Sequence, residues 1–156
     1  MPSRRDLIRM TPDEVRAYLD GQRRMIVVTN GPGGLPHPVP MNYGIDEQGR
    51  VIITSFARSQ KVLNLERDPR AALLVESGHD YADLKSVILY ADAEMITDAE
   101  LMRPLMQSIR TGAATNFATG SAPDRQVRDS MAKRVVVRFT PFRTVSWDHA
   151  KLTGAY

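Results

Sequence analysis

Residues 50–76 read RVIITSFARSQKVLNLERDPRAALLVE, and this stretch decides the fold. Arg50 to Ser55 is rich in β-branched residues and predicts a strand that ends in two hydroxyl side chains. Ser59 to Arg67 predicts a short helix, which stops at Asp68 because the proline that follows disfavours helix in the residue before it. A second strand is predicted at Ala71 to Glu76. The stretch therefore alternates strand, helix and strand.

Further extended segments lie on both sides of this stretch. Met25 to Thr29 and Pro36 to Tyr43 are separated by the turn Gly31 to Gly34, and short glycine turns of this kind join antiparallel strands. The remaining predicted strands are Ser86 to Ile96, Arg134 to Thr140 and Arg143 to Trp147, with Pro141-Phe142 between the last two. The pattern predicts a mainly β, antiparallel domain that forms a closed or nearly closed barrel.

Three further helices are predicted at the periphery. In the first, from Thr11 to about Asp20, Thr11 is an N-cap, Pro12 occupies the first helical position and Glu14 completes a capping box. The other two are Asp98 to Arg110 and Ala122 to Lys133. We interpret residues 1–156 as one domain and residues 1–22 as its helical lead-in.

The composition excludes several classes of protein. The chain contains no cysteine, which excludes disulfide frameworks, thiolate zinc sites and cysteine nucleophiles. His37, His79 and His149 never fall at metal-ligand spacing on one element, so we expect no metal site. No run approaches the roughly 18 apolar residues that a membrane helix needs, and the basic N-terminus lacks the apolar region of a secretory signal. We therefore expect a cytoplasmic protein with no membrane partner.

The charge pattern argues against a nucleic-acid partner. The formal net charge is +3, but the basic residues are interspersed with acidic ones, as in Asp124 to Asp129. The glycine turn at Gly31 to Gly34 lacks the Gly-Lys-Ser/Thr ending of a nucleotide phosphate loop, and it joins two strands instead of opening a helix. The modest positive charge suits a small anionic ligand.

One segment concentrates groups that bind phosphate. Thr54 and Ser55 end a strand, Ser59 precedes a helix, and Lys61 lies in the first turn of that helix. Hydroxyl donors, an ammonium group and the N–H groups of a helix N-terminus together suit a phosphate monoester. From these residues alone, the alternative is that Ser59 is only a helix N-cap and Lys61 only a solvated surface residue. No acid–base pair stands out, so we assign no catalytic residue.

A longer set of motifs surrounds these residues. Its blocks are Leu35 to Met41, Asp46 to Gly49, Ile53 to Ser55, Ser59 to Leu65, Asp68 to Arg70 and Pro141 to Asp148. The set resembles the pyridoxamine 5′-phosphate oxidase-like superfamily, the flavin- and deazaflavin-binding split β-barrels, and its Ser-x-Lys-x-x-Asn-Leu motif followed by Asp-Pro is fairly specific for that family. The resemblance implies a Greek-key-like split β-barrel with peripheral helices, assembled as a homodimer with the cofactor at the subunit interface.

The resemblance also implies a set of cofactor-binding residues. The residues that would hold the phosphate are Thr54, Ser55, Ser59 and Lys61, with Gln60 beside them. The residues that would lie along the ring are Pro38, Val39, Pro40 and Met41. Trp147 would approach the ring from either subunit, and its alternative role is that of a core or interface tryptophan.

The implied activity is that of an oxidoreductase. It would bind FMN and transfer hydride through the cofactor ring to or from a small molecule, with a nicotinamide or deazaflavin hydride source. The alternatives are a reductase that uses the deazaflavin coenzyme F420 and a non-catalytic module that binds or stores the cofactor. Oxidation of pyridoxamine phosphate itself is not expected. Family members with that activity typically carry a second set of basic residues and an Arg-x-His-like C-terminal element for the substrate phosphate, and the residues Trp147 to Leu152 do not match this element.

Overall fold

The computed structural model describes residues 3–109, 129 and 131–152. The strands of this part of the chain are β1 (Arg24–Asn30), β2 (Pro36–Asn42), β3 (Gly44–Ile45), β4 (Val51–Phe56), β5 (Arg70–Ser77), β6 (Lys85–Ile96) and β7 (Arg134–Asp148). The α-helices are α1 (Arg4–Leu7), α2 (Pro12–Gly21), α3 (Gln60–Arg67) and α4 (Ala99–Ser108). All seven strands form one antiparallel sheet, which confirms the predicted fold class. The predicted helix at Ala122 to Lys133 falls mostly outside the described residues.

The sheet curls because its two edge strands are consecutive in the chain. The strand order is β2-β1-β5-β6-β7-β4-β3, so β2 and β3 lie at opposite edges. Only Tyr43 separates these two strands in sequence. Tyr43 is buried, and its hydroxyl donates to the carbonyl oxygen of Leu19 on α2. The sheet therefore bends back on itself and forms the split barrel that the resemblance implies.

The main core fills the inside of this curled sheet. Successive strand residues point to opposite faces, and in β1 the side chains of Met25 and Val27 are buried while Ile26 and Val28 are half-buried. β5 and β6 add Leu73 and further apolar residues to the same interior. Each fully buried Val or Leu side chain stabilises the fold by roughly 1.5–3 kcal/mol.

A second, smaller core lies on the outer face of β4 and β7. There α4 packs the side chains of Met102 and Met106 against Ile52 of β4 and Val136 of β7. The helix begins as predicted, since Asp98 accepts hydrogen bonds from backbone N–H groups in the first turn. α2 also begins as predicted, with the reciprocal capping box at its N-terminus.

β2 is an edge strand with proline at every second position. Pro36, Pro38 and Pro40 alternate with His37 and Val39, and among the described strands β2 pairs only with β1. Alternate residues of an antiparallel strand direct their backbone groups to opposite sides, and proline has no N–H to donate. The prolines therefore face the open edge, which presents carbonyl oxygens without N–H groups.

The prediction of two separate C-terminal strands is wrong. β7 runs continuously through Pro141 and Phe142. Tyr90 of β6 pairs with Arg143 and Ala91 pairs with Pro141, so Phe142 forms a β-bulge and not a break. Proline is tolerated here because β7 has already lost β4 as its second neighbour, and an unpaired edge requires no N–H donor.

Candidate functional site

Three of the predicted phosphate-binding residues lie together where β4 leads into α3. Lys61 Nζ donates a hydrogen bond to Ser55 Oγ at 3.0 Å, and Ser55 Oγ lies 2.9 Å from Ser59 Oγ. Either serine can donate to the other. In both arrangements one hydroxyl hydrogen remains for an outside acceptor, because each hydroxyl has a single hydrogen. We call Ser55, Ser59 and Lys61 the phosphate cluster.

The helix beside this cluster begins without a side-chain cap. At the N-cap positions of α2 and α4, Thr11 and Asp98 accept hydrogen bonds from first-turn N–H groups. Ser59 occupies the same position in α3 and accepts none, since its hydroxyl is engaged with Ser55. The first turn of α3 is thus uncapped by a side chain, and the N-terminus of a helix carries a partial positive charge.

The ammonium group of Lys61 adds a full positive charge. The side chain is half-buried, and no described carboxylate lies within ion-pair distance of it. Burial lowers the pKa of Lys61, because its charged form loses hydration. An anion placed between this ammonium group and the helix N-terminus would offset that loss with charge-assisted hydrogen bonds.

A buried hydrogen-bond network fixes α3 against the sheet. Asn64 is fully buried; its amide donates to Thr29 Oγ1 of β1 at 2.9 Å and accepts from Gln60 Nε2 at 2.8 Å. The asparagine of the Ser-x-Lys-x-x-Asn-Leu motif therefore holds the helix in place, and the predicted site residue Gln60 supports it. Motif matching located Asn64, but only the structure shows Thr29 as its partner.

Thr54 is separated from the phosphate cluster. It pairs with Val136, which belongs to the outer core, whereas its neighbour Ser55 pairs with Val135 of the interior core. Its Oγ1 is buried and has no hydrogen-bond partner among the described residues. The two strand-end hydroxyls that the sequence analysis groups together consequently point to opposite faces of β4.

The predicted ring-contact residues lie on β2, the strand that pairs with β1 beside the residue that anchors α3. Thr29, which anchors α3, pairs with His37, and Pro38 follows it along β2. Pro38 and Pro40 are exposed, while Val39 and Met41 are half-buried. β2 thus runs away from the phosphate cluster with its open edge accessible.

Trp147 lies elsewhere within the same chain. It is half-buried on β7, twelve residues beyond Val135, which pairs with Ser55. The strand carries Trp147 to the part of β7 beside Ser86 of β6. Ser55, Ser59 and Lys61 therefore lie together, and Asn64 and Thr29 connect them to Gln60 and β2. Neither Thr54 nor Trp147 belongs to this region.

The described part of the chain contains neither a metal-binding cluster nor a membrane-spanning helix. No three side chains of His, Asp or Glu gather there in a way that could hold a metal ion. None of the helices found there has the length and apolar character needed to span a bilayer.

Comparisons with known proteins agree with this architecture. The family model for pyridoxamine 5′-phosphate oxidase matches residues 11–148. The conserved hypothetical protein Rv2991 from Mycobacterium tuberculosis is 33% identical, with a TM-score of 0.82 over 99% of this chain and 95% of that one. No curated protein matches the chain.

More distant solved structures share the fold alone. An FAD-binding protein from Mesorhizobium loti is 16% identical, with a TM-score of 0.65 over 88% of this chain and 92% of that one. A protein named F420 reductase is 17% identical, with a TM-score of 0.59 over 83% of this chain and 94% of that one. Since the family model covers nearly the whole chain, the protein belongs to the pyridoxamine 5′-phosphate oxidase family.

Proposed function

We propose that this protein is an oxidoreductase that binds FMN at the phosphate cluster and passes hydride through the cofactor ring to or from a small molecule. One observation carries the proposal. Within the described residues, a half-buried lysine without a carboxylate partner lies beside two linked hydroxyls, at a helix N-terminus that none of their side chains caps. This combination of donors suits a phosphate dianion.

The residues present fit a cofactor that ends in a phosphate. The cluster offers an ammonium group, one free hydroxyl hydrogen and first-turn N–H groups, all of which are donors. No acidic side chain competes for Lys61 among the described residues. The donor set is therefore that of an anion site and not of a cation site.

Beyond the phosphate, the chain's task is to orient the ring and to keep water away from it. The open edge of β2 presents the carbonyl oxygens of Pro36, Pro38 and Pro40, which would accept hydrogen bonds from the N–H group of a bound planar ring. The half-buried Val39 and Met41 add apolar surface on the inner side of this strand. When bound, the cofactor supplies the hydride chemistry, which explains why the site needs no acid–base pair.

We further propose that two copies of the chain enclose the cofactor. A row of apolar side chains crosses the outer face of the sheet, because Ile26 pairs with Leu74, Leu74 with Ile88, and Ile88 with Val145. All four are half-buried, and Trp147 lies two residues beyond Val145 on the same face. A twofold dimer across this row would bury apolar surface and close a shallow groove from the second side.

A reductase that uses coenzyme F420 is the second candidate. Both cofactors present a phosphate and a tricyclic ring, so the phosphate cluster would suit either one. A fold neighbour named F420 reductase supports this alternative. A carrier that stores the cofactor without turnover is the third candidate, since the site has no assigned catalytic residue.

Mass and absorbance spectra of cofactor released from the native protein separate the first two candidates. We expect FMN; release of the deazaflavin instead would shift the proposal to the second candidate. Reduction of the bound cofactor by NAD(P)H or by a reduced deazaflavin, followed by reoxidation with an added acceptor, separates an enzyme from a carrier. If neither cofactor is released and neither binds at micromolar concentration, the proposed function fails.

A further inference from the structure

The predicted ring-contact segment of β2 offers no hydrogen-bond donor at its open edge. Pro38 and Pro40 direct their backbone groups to this edge, and proline has no N–H group. The N–H groups of Val39 and Met41 point the other way, into the ladder with β1. None of these four side chains carries a donor either, since three are hydrocarbons and one is a thioether. The segment therefore presents only acceptors to a ligand at this edge.

This run of acceptors has defined ends along the strand. Pro36 extends it at one end by a further outward carbonyl group. Asn42 closes it at the other end, because the alternation of the strand directs the N–H of Asn42 to the same open side. Outward carbonyl groups are two residues apart, so successive acceptors lie about 7 Å from each other along the strand. We call the open side of β2 from Pro36 to Met41 the proline edge.

The hydrogen-bonding groups of a flavin ring depend on its oxidation state. Reduction adds a hydride, here from the nicotinamide or deazaflavin source, and a proton from solvent. The ring nitrogens that take up these hydrogens change from acceptors into donors, and hydrogen bonds to ring nitrogens are one means by which a protein tunes a flavin. An ordinary edge strand presents both N–H and carbonyl groups, and can therefore bond either form of the ring. The proline edge has acceptors alone, which match the reduced ring.

We propose that the proline edge binds the reduced cofactor more tightly than the oxidised one and thereby raises the reduction potential of bound FMN. This inference rests on the proposed function, because it requires the cofactor ring to lie along β2. The acceptor nitrogens of the oxidised ring meet no donor at this edge, whereas the reduced ring donates its new N–H groups to the carbonyl oxygens. Bound FMN thus accepts hydride readily and passes it on only to acceptors of higher potential.

The phosphate cluster does not contribute to this preference. Reduction changes the ring and leaves the phosphate group as it was, so Lys61, Ser55 and Ser59 stabilise both oxidation states of the cofactor equally. The ratio of the affinities for reduced and oxidised FMN therefore reports on the ring alone. The same ratio fixes the difference between the potentials of bound and free FMN, since a tenfold ratio corresponds to about 30 mV for a two-electron couple.

Anaerobic titration of the full-length protein with oxidised and with reduced FMN tests the proposal. We expect reduced FMN to bind the parent more tightly, and potentiometry should place the midpoint of bound FMN above that of free FMN. The Pro38→Ala/Pro40→Ala double variant restores two N–H donors to the edge, and should lower the ratio of reduced to oxidised affinity about tenfold. Greater freedom of the strand would change both affinities together and leave their ratio as it is in the parent.

The matched control is Pro12→Ala, which restores an N–H at the first position of α2 and should keep the ratio of the parent. If the double variant does not fold, Pro38→Ala and Pro40→Ala serve singly, each with a change of about threefold. The proposal is overturned if reduced FMN binds the parent no more tightly than oxidised FMN, or if the proline variants keep the parent's ratio. Absence of FMN binding in both oxidation states would instead refute the proposed function, and this inference with it.

Discussion

Replacement of Lys61 by methionine tests the phosphate cluster most directly. Methionine keeps most of the apolar stem of the half-buried side chain and removes its ammonium group. The parent contact with a phosphate is charge-assisted, and such contacts are worth about 1.5–3 kcal/mol. At about 1.4 kcal/mol per decade, FMN should bind roughly 10- to 150-fold more weakly to Lys61→Met.

In the absence of ligand, Lys61→Met should not destabilise the fold, although it weakens FMN binding. Burial lowers the pKa of Lys61 in the folded state below its value in the unfolded chain. Below the folded-state pKa the charged lysine therefore destabilises the fold, and this destabilisation disappears as the pH rises through the unfolded-state pKa. At pH 7, Lys61→Met should therefore be at least as stable as the parent. Added FMN should raise the thermal midpoint of the parent far more than that of the variant.

Isothermal titration with FMN and with riboflavin measures the predicted difference. Riboflavin lacks the phosphate, and its affinity should be the same for the parent and for Lys61→Met. Arg103→Gln serves as the matched control, because it removes the charge of an exposed arginine on α4, the helix that packs on the outer face of β4 and β7. Equal FMN affinities for parent and Lys61→Met, or a parallel loss of riboflavin binding, would refute the assignment of the phosphate to this cluster.

Four further predictions follow from the geometry. Thr54→Val should keep FMN affinity within about twofold and should not lower the thermal midpoint, because it removes a buried hydroxyl that has no partner in the described part of the chain. Ser55→Ala, by contrast, should weaken FMN binding measurably in the same titration. Asn64→Leu should cost about 1–3 kcal/mol in urea denaturation by leaving Thr29 and Gln60 unpaired, and adding Thr29→Val should recover part of that loss. Ile88→Glu should give a monomer in light scattering if the outer face is the dimer interface; an unchanged dimer would place the interface elsewhere. Hydrogen bonds from Arg70, and to a smaller extent from Asn30, hold the pKa of Asp68 well below its usual value. The Asp68 carboxylate therefore stabilises the fold above its unfolded-state pKa, and this stabilisation is lost as the pH falls through the folded-state pKa. Asp68→Asn should lower the thermal midpoint at pH 7, and a circular dichroism series should show the difference from the parent shrinking below about pH 4.

Local pattern was enough to predict most of the strands and the helix starts. The capping box at Thr11 and the glycine turn before β2 depend on neighbouring residues alone, and both are where the sequence predicts them. The bulge at Phe142 could not be predicted this way. From sequence alone, Pro141 predicts the end of a strand. The strand continues because β7 has an unpaired edge at that point, and this edge depends on where β4 ends.

The candidate site shows the same division between local and tertiary information. The alternation of strand residues already implies that Thr54 and Ser55 face opposite sides, but the side that holds the helix depends on the sheet register. The sequence also could not predict that α3 lacks a side-chain cap, since serine is one of the residue types preferred at the N-cap position.

The proline pattern of β2 restricts how copies of this chain can meet. A strand that adds to a sheet edge needs donors as well as acceptors, and the edge of β2 that carries Pro36, Pro38 and Pro40 can form at most half of such a ladder. The opposite edge, β3, is only two residues long. Both ends of the sheet thus resist strand-by-strand aggregation, one by its chemistry and the other by its length. Any self-association through the sheet would therefore use its faces and not its edges, and a closed twofold pair would form there without open-ended growth.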